Sequence, residues 1–100
     1  MAKGYWIGHV DVHNEDGYKA YAAANPAIFK THGGRFLVRG GTFTGVEGKN
    51  RSRNVVIEFP DYQTALACYH SPEYQANIKV RLPHAIADLI IIEGYDGPQP

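Results

Sequence analysis

Apolar positions along this chain recur with two spacings, alternating in some stretches and helical in others. Tyr5 to Val12 is a run of aromatic and β-branched residues, which predicts a first strand. Asn14-Glu15-Asp16 opens a helix with acids in its first turn, and Tyr18, Tyr21 and Ala22 follow at helical spacing. Asn25-Pro26 interrupts it, either as a new turn capped by Asn25 or as a kink. The helix resumes through Ala27, Ile28 and Phe29 and stops at His32-Gly33-Gly34. Arg35 to Arg39 alternates, so a second strand is expected there. Gly40 to Ser52, rich in glycine, threonine and charge, reads as a hairpin connection with its tip at Glu47-Gly48-Lys49-Asn50. Asn54 to Phe59 is the third strand. Pro60-Asp61 starts a helix over Tyr62 to Tyr69, with Ala65, Leu66 and Tyr69 on one face. Ser71-Pro72-Glu73 starts another, with serine as cap and proline in the first helical position, and it ends near Pro83. Ala87 to Gly94 is the last strand.

Strand, helix, strand, strand, helix, strand is the split βαβ order. It predicts an α+β, ferredoxin-like βαββαβ domain with an antiparallel four-stranded sheet. The domain spans residues 1–96, and 97–100 is a flexible tail. Helices cover one face of such a sheet and leave the other bare. Yet Asp88-Leu89-Ile90-Ile91-Ile92-Glu93 is apolar on both faces, as are Trp6, Ile7, Val10 and Val12. Strands apolar on both faces need both faces covered. With no chain left for the second face, another copy is the expected cover, making a homodimer.

Composition narrows the function classes. One hundred residues make one domain with one modest core. Hydrophobic residues are 44% and charged residues 20%, which is a globular balance and not a disordered one. Lysine plus arginine equal aspartate plus glutamate, ten each, so no net field favours nucleic acid or an anionic membrane. The single cysteine, Cys68, cannot close an internal disulfide and suits a reducing compartment. The start, Met1-Ala2-Lys3-Gly4-Tyr5, runs straight into strand-like sequence without a signal-peptide pattern. The longest apolar stretch, around Ala85 to Ile92, is broken by Asp88 and too short to span a bilayer. A soluble, cytoplasmic protein is expected.

The block Arg39-Gly40-Gly41, Glu47-Gly48, Val55-Val56-Ile57-Glu58-Phe59-Pro60 concentrates the chemistry. An ionised carboxylate in an apolar strand is costly unless paired, so Glu58 is either at a sheet edge or partnered by a cation such as Arg39. As a site, Arg39 would anchor a substrate carboxylate or enolate, with Glu58 orienting it or acting as base. As structure, the two would be an ion pair at a dimer seam.

The whole pattern resembles the uncharacterised bacterial domain-of-unknown-function family thirteen-thirty. The resemblance is carried by Lys3-Gly4-Tyr5-Trp6-Ile7, Gly33-Gly34-Arg35-Phe36-Leu37-Val38-Arg39-Gly40-Gly41, Glu47-Gly48, Val56-Ile57-Glu58-Phe59-Pro60, Ala65 with Tyr69, Ser71-Pro72-Glu73-Tyr74 and Arg81, in the family's order. It implies a dimeric α/β barrel, two ferredoxin-like subunits with facing sheets. That superfamily includes cofactor-free antibiotic-biosynthesis monooxygenases, muconolactone isomerase and haem-binding chlorite dismutase relatives, so the fold does not set the chemistry. One departure is Cys68, where the family often has tryptophan; a small thiol there could enlarge a pocket.

The remaining candidates each have a plain structural reading. His9, mid-strand among apolar residues, could be a general base near neutral pH, or an imidazole satisfied by a backbone carbonyl. His9, Asp11 and His13 alternate, which permits metal ligation, but His13 precedes the helix start and no metal site is assigned. Tyr69, Tyr74 and Arg81 would bind a ligand in a pocket, or else pack in the core and pair with an acid. Ser71 is a helix cap, since no Gly-x-Ser-x-Gly turn surrounds it. Lys49, Arg51 and Arg53 read as a solvated hairpin patch, and the glycine spacing matches no phosphate loop. Cys68 reads as a small buried filler.

Together these readings predict a small-molecule-binding protein with a pocket between sheet and helices, taking an anionic or aromatic organic molecule without a cofactor. As an enzyme it would do proton-transfer or monooxygenase-like chemistry with His9, Arg39 and Glu58 as catalytic residues. The alternative is a non-enzymatic binding or interaction module whose polar residues are structural. Haem is disfavoured because no histidine stands out as its axial ligand.

Overall fold

A computed structural model describes residues 2–100. Its elements are β1 (Gly4–Val12), α1 (Glu15–Thr31), β2 (Arg35–Arg39), β3 (Arg53–Phe59), α2 (Tyr62–His70), α3 (Pro72–Arg81) and β4 (Ala85–Glu93). This is the expected βαββαβ order, with the second helical stretch divided at Ser71. The strands form one antiparallel sheet in the order β2-β3-β1-β4.

Capping chemistry sets the helix starts. The side chains of Asn14 and Asp61 accept from the backbone N–H of Gly17 at 3.1 Å and of Thr64 at 2.7 Å. Ser71 serves two helices. Its hydroxyl donates to the Cys68 carbonyl that ends α2, at 2.7 Å, and accepts from the Tyr74 N–H that begins α3, at 3.2 Å.

Pro26 neither starts a new helix nor ends one; it lies inside the 17-residue α1. Asn25 is not a cap either. It is buried, and its side-chain oxygen accepts from Asn77 on α3 at 2.8 Å. The same Asn77 amide also donates to the Tyr21 carbonyl at 3.1 Å, so α1 and α3 are joined by side chains that satisfy buried polar groups.

Strand alternation places Gly4, Trp6, Gly8 and Val10 of β1 under the helices, beside Val55, Ile57 and Phe59 of β3 and Ala87, Leu89 and Ile91 of β4. Trp6 is the centre of this layer. It is 1% exposed, its indole N–H donates to the Ala65 carbonyl at 2.8 Å, and its ring meets Phe29, Phe59, Tyr69 and Tyr74. Burying so large a ring with its one donor satisfied makes it the anchor of the core; truncating such a residue to alanine costs about 3–5 kcal/mol. The other face carries Tyr5, Ile7, His9 and Asp11 of β1 with Ile86, Asp88, Ile90 and Ile92 of β4. Ile86, Ile90 and Ile92 are 51%, 55% and 46% exposed there. The chain is 16 Å across its thinnest dimension, one sheet and one helical layer.

One element boundary and one irregularity inside a strand change the chemistry. β3 begins at Arg53, one residue earlier than expected, so Arg53 belongs to the sheet and not to the solvated loop. In β2, Arg35 pairs with Glu58 and Phe36 with Ile57, but Val38 pairs with Val56 and Arg39 with Val55. Leu37 is therefore an extra residue in a β-bulge, and it reverses the face of everything after it.

Candidate functional site

The bulge at Leu37 separates the two residues expected to pair. Strict alternation would put Arg35, Leu37 and Arg39 on one face with Glu58. With Leu37 unpaired, Arg39 stands opposite Val55 on the helix side, while Glu58 stays on the open side. There Glu58 accepts from Arg35 Nε at 2.9 Å and from the Tyr5 hydroxyl at 3.1 Å. The Arg35 guanidinium holds the Glu58 carboxyl below the usual carboxylate range. Partial burial opposes that shift and the Tyr5 hydroxyl reinforces it. The expected Arg39–Glu58 pair is thus replaced by Arg35–Glu58. His9 is also on the open face, its Nδ1 2.6 Å from the Asn54 side-chain oxygen. His9, Arg39 and Glu58 do not converge.

A different set does. Between the sheet and helices α1 and α3 lies a cavity of about 50 Å³, lined by the rings of Trp6, Tyr18, Tyr21, Phe29, Phe36 and Tyr74. Arg39, Arg53 and Arg81 also line it. Each guanidinium lies over an aromatic ring: Arg39 4.4 Å from the Phe36 centroid, Arg53 5.6 Å from Tyr18 and Arg81 5.3 Å from Tyr21. Among the described residues, none of the three makes a salt bridge; the pairs present are Lys19–Asp16, Arg35–Glu58, Arg51–Asp11 and Arg51–Asp88. The Nε atoms of Arg53 and Arg81 are buried with no hydrogen-bond partner among those residues. A buried, unmatched donor on a cation is costly, so these atoms call for an acceptor.

Pro26 helps build the mouth. Lacking an N–H, it leaves the Ala22 carbonyl, one turn back, without its helical donor. Arg39 Nη2 approaches that carbonyl at 3.5 Å, and Ala22 is itself a cavity residue. Deeper in, the Tyr21 and Tyr74 hydroxyls are 2.6 Å apart and Arg81 Nη1 donates to both, at 3.3 and 3.1 Å. Burial first, and then the neighbouring Tyr21, push the Tyr74 phenol far above its ordinary value. Burial likewise raises Tyr18. Tyr18 and Tyr74 therefore stay protonated at neutral pH and act as donors. The cavity-lining residues include no histidine. Their one acidic residue, Asp88, carries its side chain on the open face, where it accepts from Arg51 Nε at 2.8 Å. What the cavity offers is positive charge, O–H and N–H donors and aromatic walls, with no base free to take a proton.

Of the residues expected to bind ligand, Tyr74 and Arg81 line this cavity and Tyr69 does not; it packs on Trp6, Tyr74 and His70. Cys68 is fully buried and also outside the lining, so the small thiol does not enlarge the cavity. Burial first, with Glu73 adding to it, pushes its thiol up to about 12, which makes it unreactive. Asp11 is committed to the Ser52 N–H and to Arg51, at 3.1 and 2.7 Å. The described residues hold no group of three or more His, Cys, Asp or Glu placed to bind a metal ion. Sequence reading overlooked Arg53, Tyr18 and Tyr21 as site residues. The available signal was the i, i+3 spacing of two tyrosines on one helix, which core packing explains equally well.

The family model described as Domain of unknown function (DUF1330) matches residues 3–95. Among curated proteins, none matches. A protein of unknown function from Rhodopseudomonas palustris superposes with a TM-score of 0.71 at 16% identity, covering 96% of this chain and 85% of that one. SnoaB, a cofactor-independent oxygenase from Streptomyces nogalater, superposes at 0.63 with 12% identity over 100% and 97% of the two chains. A dimeric ferredoxin-like protein of unknown function from Thermobifida fusca does so at 0.56 with 14% identity over 91% and 92%. At these identities the likeness shows a shared fold. No helix among the described residues is long and apolar enough to cross a membrane.

Proposed function

This chain belongs to the DUF1330 family, and we propose that it is a homodimeric α/β-barrel protein that binds a small organic anion in the cavity between its sheet and helices. The observation that carries the reading is the convergence of Arg39, Arg53 and Arg81, without a carboxylate partner, on one aromatic-walled cavity. An apolar pocket with a few convergent polar groups is the usual form of a small-molecule site. Guanidinium groups lying over rings recognise carboxylates by charge-assisted hydrogen bonds. The absence of a free base among the lining residues favours binding over proton abstraction at this site. The dimer is supported by the exposed row Ile86, Ile90 and Ile92 on the bare sheet face, and by the dimeric state named for the Thermobifida fusca neighbour.

Isothermal titration of the protein with small carboxylic acids and with their neutral amides tests the reading. Saturable binding of the acids, absent for the amides and weakened at least tenfold by Arg81→Met, is expected. Equal binding of acid and amide, or binding indifferent to Arg81, would overturn it.

A further inference from the structure

We propose that the cavity has two anion-binding poles and that its ligand is a short dicarboxylate. The inference deepens the reading of this cavity as an anion site and rests on it.

The first pole is Arg81 with Tyr21 and Tyr74. Two hydroxyls 2.6 Å apart share one hydrogen bond, so one O–H donates and the other oxygen accepts. Arg81 Nη1 places one hydrogen on each phenol oxygen. The second O–H is left without an acceptor among the described residues, and so is Arg81 Nε. This pole therefore presents two unanswered donors and calls for an acceptor-only oxygen. A carboxylate fits; an alcohol or amine would bring further donors.

The second pole is Arg53, at the start of β3. Its Nε is also buried and unanswered, and its guanidinium lies on Tyr18 where Arg81 lies on Tyr21. The Tyr18 and Tyr21 rings are 5.3 Å apart. Arg39 joins this pole from the end of β2, next to Gly40, whose backbone approaches Arg53 so closely that a Cβ there would sit 2.5 Å from Arg53 Nη1. Arg39 is exposed, but one carboxylate at Arg81 would leave the half-buried Arg53 charge uncompensated, and a second carboxylate answers its orphan donor. A volume near 50 Å³ is far below the roughly 300–1,000 Å³ of pockets for drug-sized ligands, which limits the ligand to a short chain.

Calorimetric titration with butyrate and succinate, which share a four-carbon skeleton, tests the proposal. Succinate should bind at least tenfold tighter than butyrate. Arg53→Met should bring succinate down to the butyrate level while leaving butyrate within about twofold. Lys49→Gln, which removes one positive charge from the loop, should leave the preference intact. Equal affinities for the two acids in the unmutated protein would overturn the two-pole assignment and leave the anion site standing. Binding of neither acid would remove both. Inorganic phosphate binding more tightly than succinate would place both guanidinium groups on one tetrahedral anion and also overturn it. The wild-type comparison decides even if the Arg53 variant does not fold.

Discussion

Tyr21 on α1 and Tyr74 on α3 meet hydroxyl to hydroxyl at 2.6 Å, and the contact fixes the helical layer over the sheet. Arg81 bridges both oxygens, so the two phenols and the guanidinium form one unit. Members of a buried network couple. Tyr21→Phe and Tyr74→Phe should each lower unfolding free energy by about 1 kcal/mol in urea titrations. The double variant should lose less than their sum, with a coupling of at least roughly 0.5 kcal/mol. Strictly additive losses would show that the hydroxyls act independently.

Gly40 and Gly41 are neighbours with opposite expectations. Gly40 has φ +64°, and a Cβ there would meet Arg53 Nη1; around Gly41 nothing lies within 4 Å. Gly40→Ala should cost about 1–2 kcal/mol from its left-handed backbone and should also weaken carboxylate binding by displacing Arg53. Gly41→Ala should do neither. Matching denaturation and binding curves for the two variants would contradict the placement of Arg53.

Glu58 gives the fold a pH signature. Its carboxyl is held below the usual range by Arg35, so its native pKa lies below its unfolded one. A depressed carboxyl stabilises fully above the unfolded value of about 4.3, and the contribution is lost as pH falls through the native value. The stability difference between wild type and Glu58→Gln should be constant at neutral pH and shrink below about pH 4. Because the Arg35 side chain is 72% exposed, the difference should also be small and reduced by salt. A difference that does not change with pH would remove the ion pair from the account.

On the bare sheet face, Ile90 is 55% exposed and stands opposite Ile7. Ile90→Glu places a charge where a second copy would bury it, at a cost no partner group offsets. Light scattering coupled to size exclusion should show the mass halving from dimer to monomer, with the circular dichroism of the fold retained. A wild-type protein already monomeric at high micromolar concentration would contradict the dimer.

Element order, helix caps and the apolar second sheet face were legible because local signals carry them. Asn14, Asp61 and Ser71 cap through side chains adjacent in sequence to what they bond, and strand alternation is a property of a few successive residues. The site was less legible. Nothing within Arg35-Phe36-Leu37-Val38-Arg39 marks a bulge: it contains no glycine or proline, and only the partner strand's register reveals the extra residue. That single unpaired Leu37 moves Arg39 from the Glu58 face to the cavity. Arg53 follows a charged, glycine-rich loop whose composition concealed the strand start. Pro26 read as a new turn or a kink; α1 continues through it, and the freed Ala22 carbonyl is approached by Arg39 from another element. Tertiary contacts decided each of these outcomes.

The most direct test of the anion cavity is to watch its orphan donors. In nitrogen-15 correlation spectra the arginine Nε–H signals can be followed during titration with succinate. Saturable shifts at Arg53 and Arg81 are predicted, with Arg51, whose Nε already donates to Asp88 on the open face, unmoved. Shifts confined to Arg51, or none at any arginine up to millimolar succinate, would contradict an anion site in this cavity.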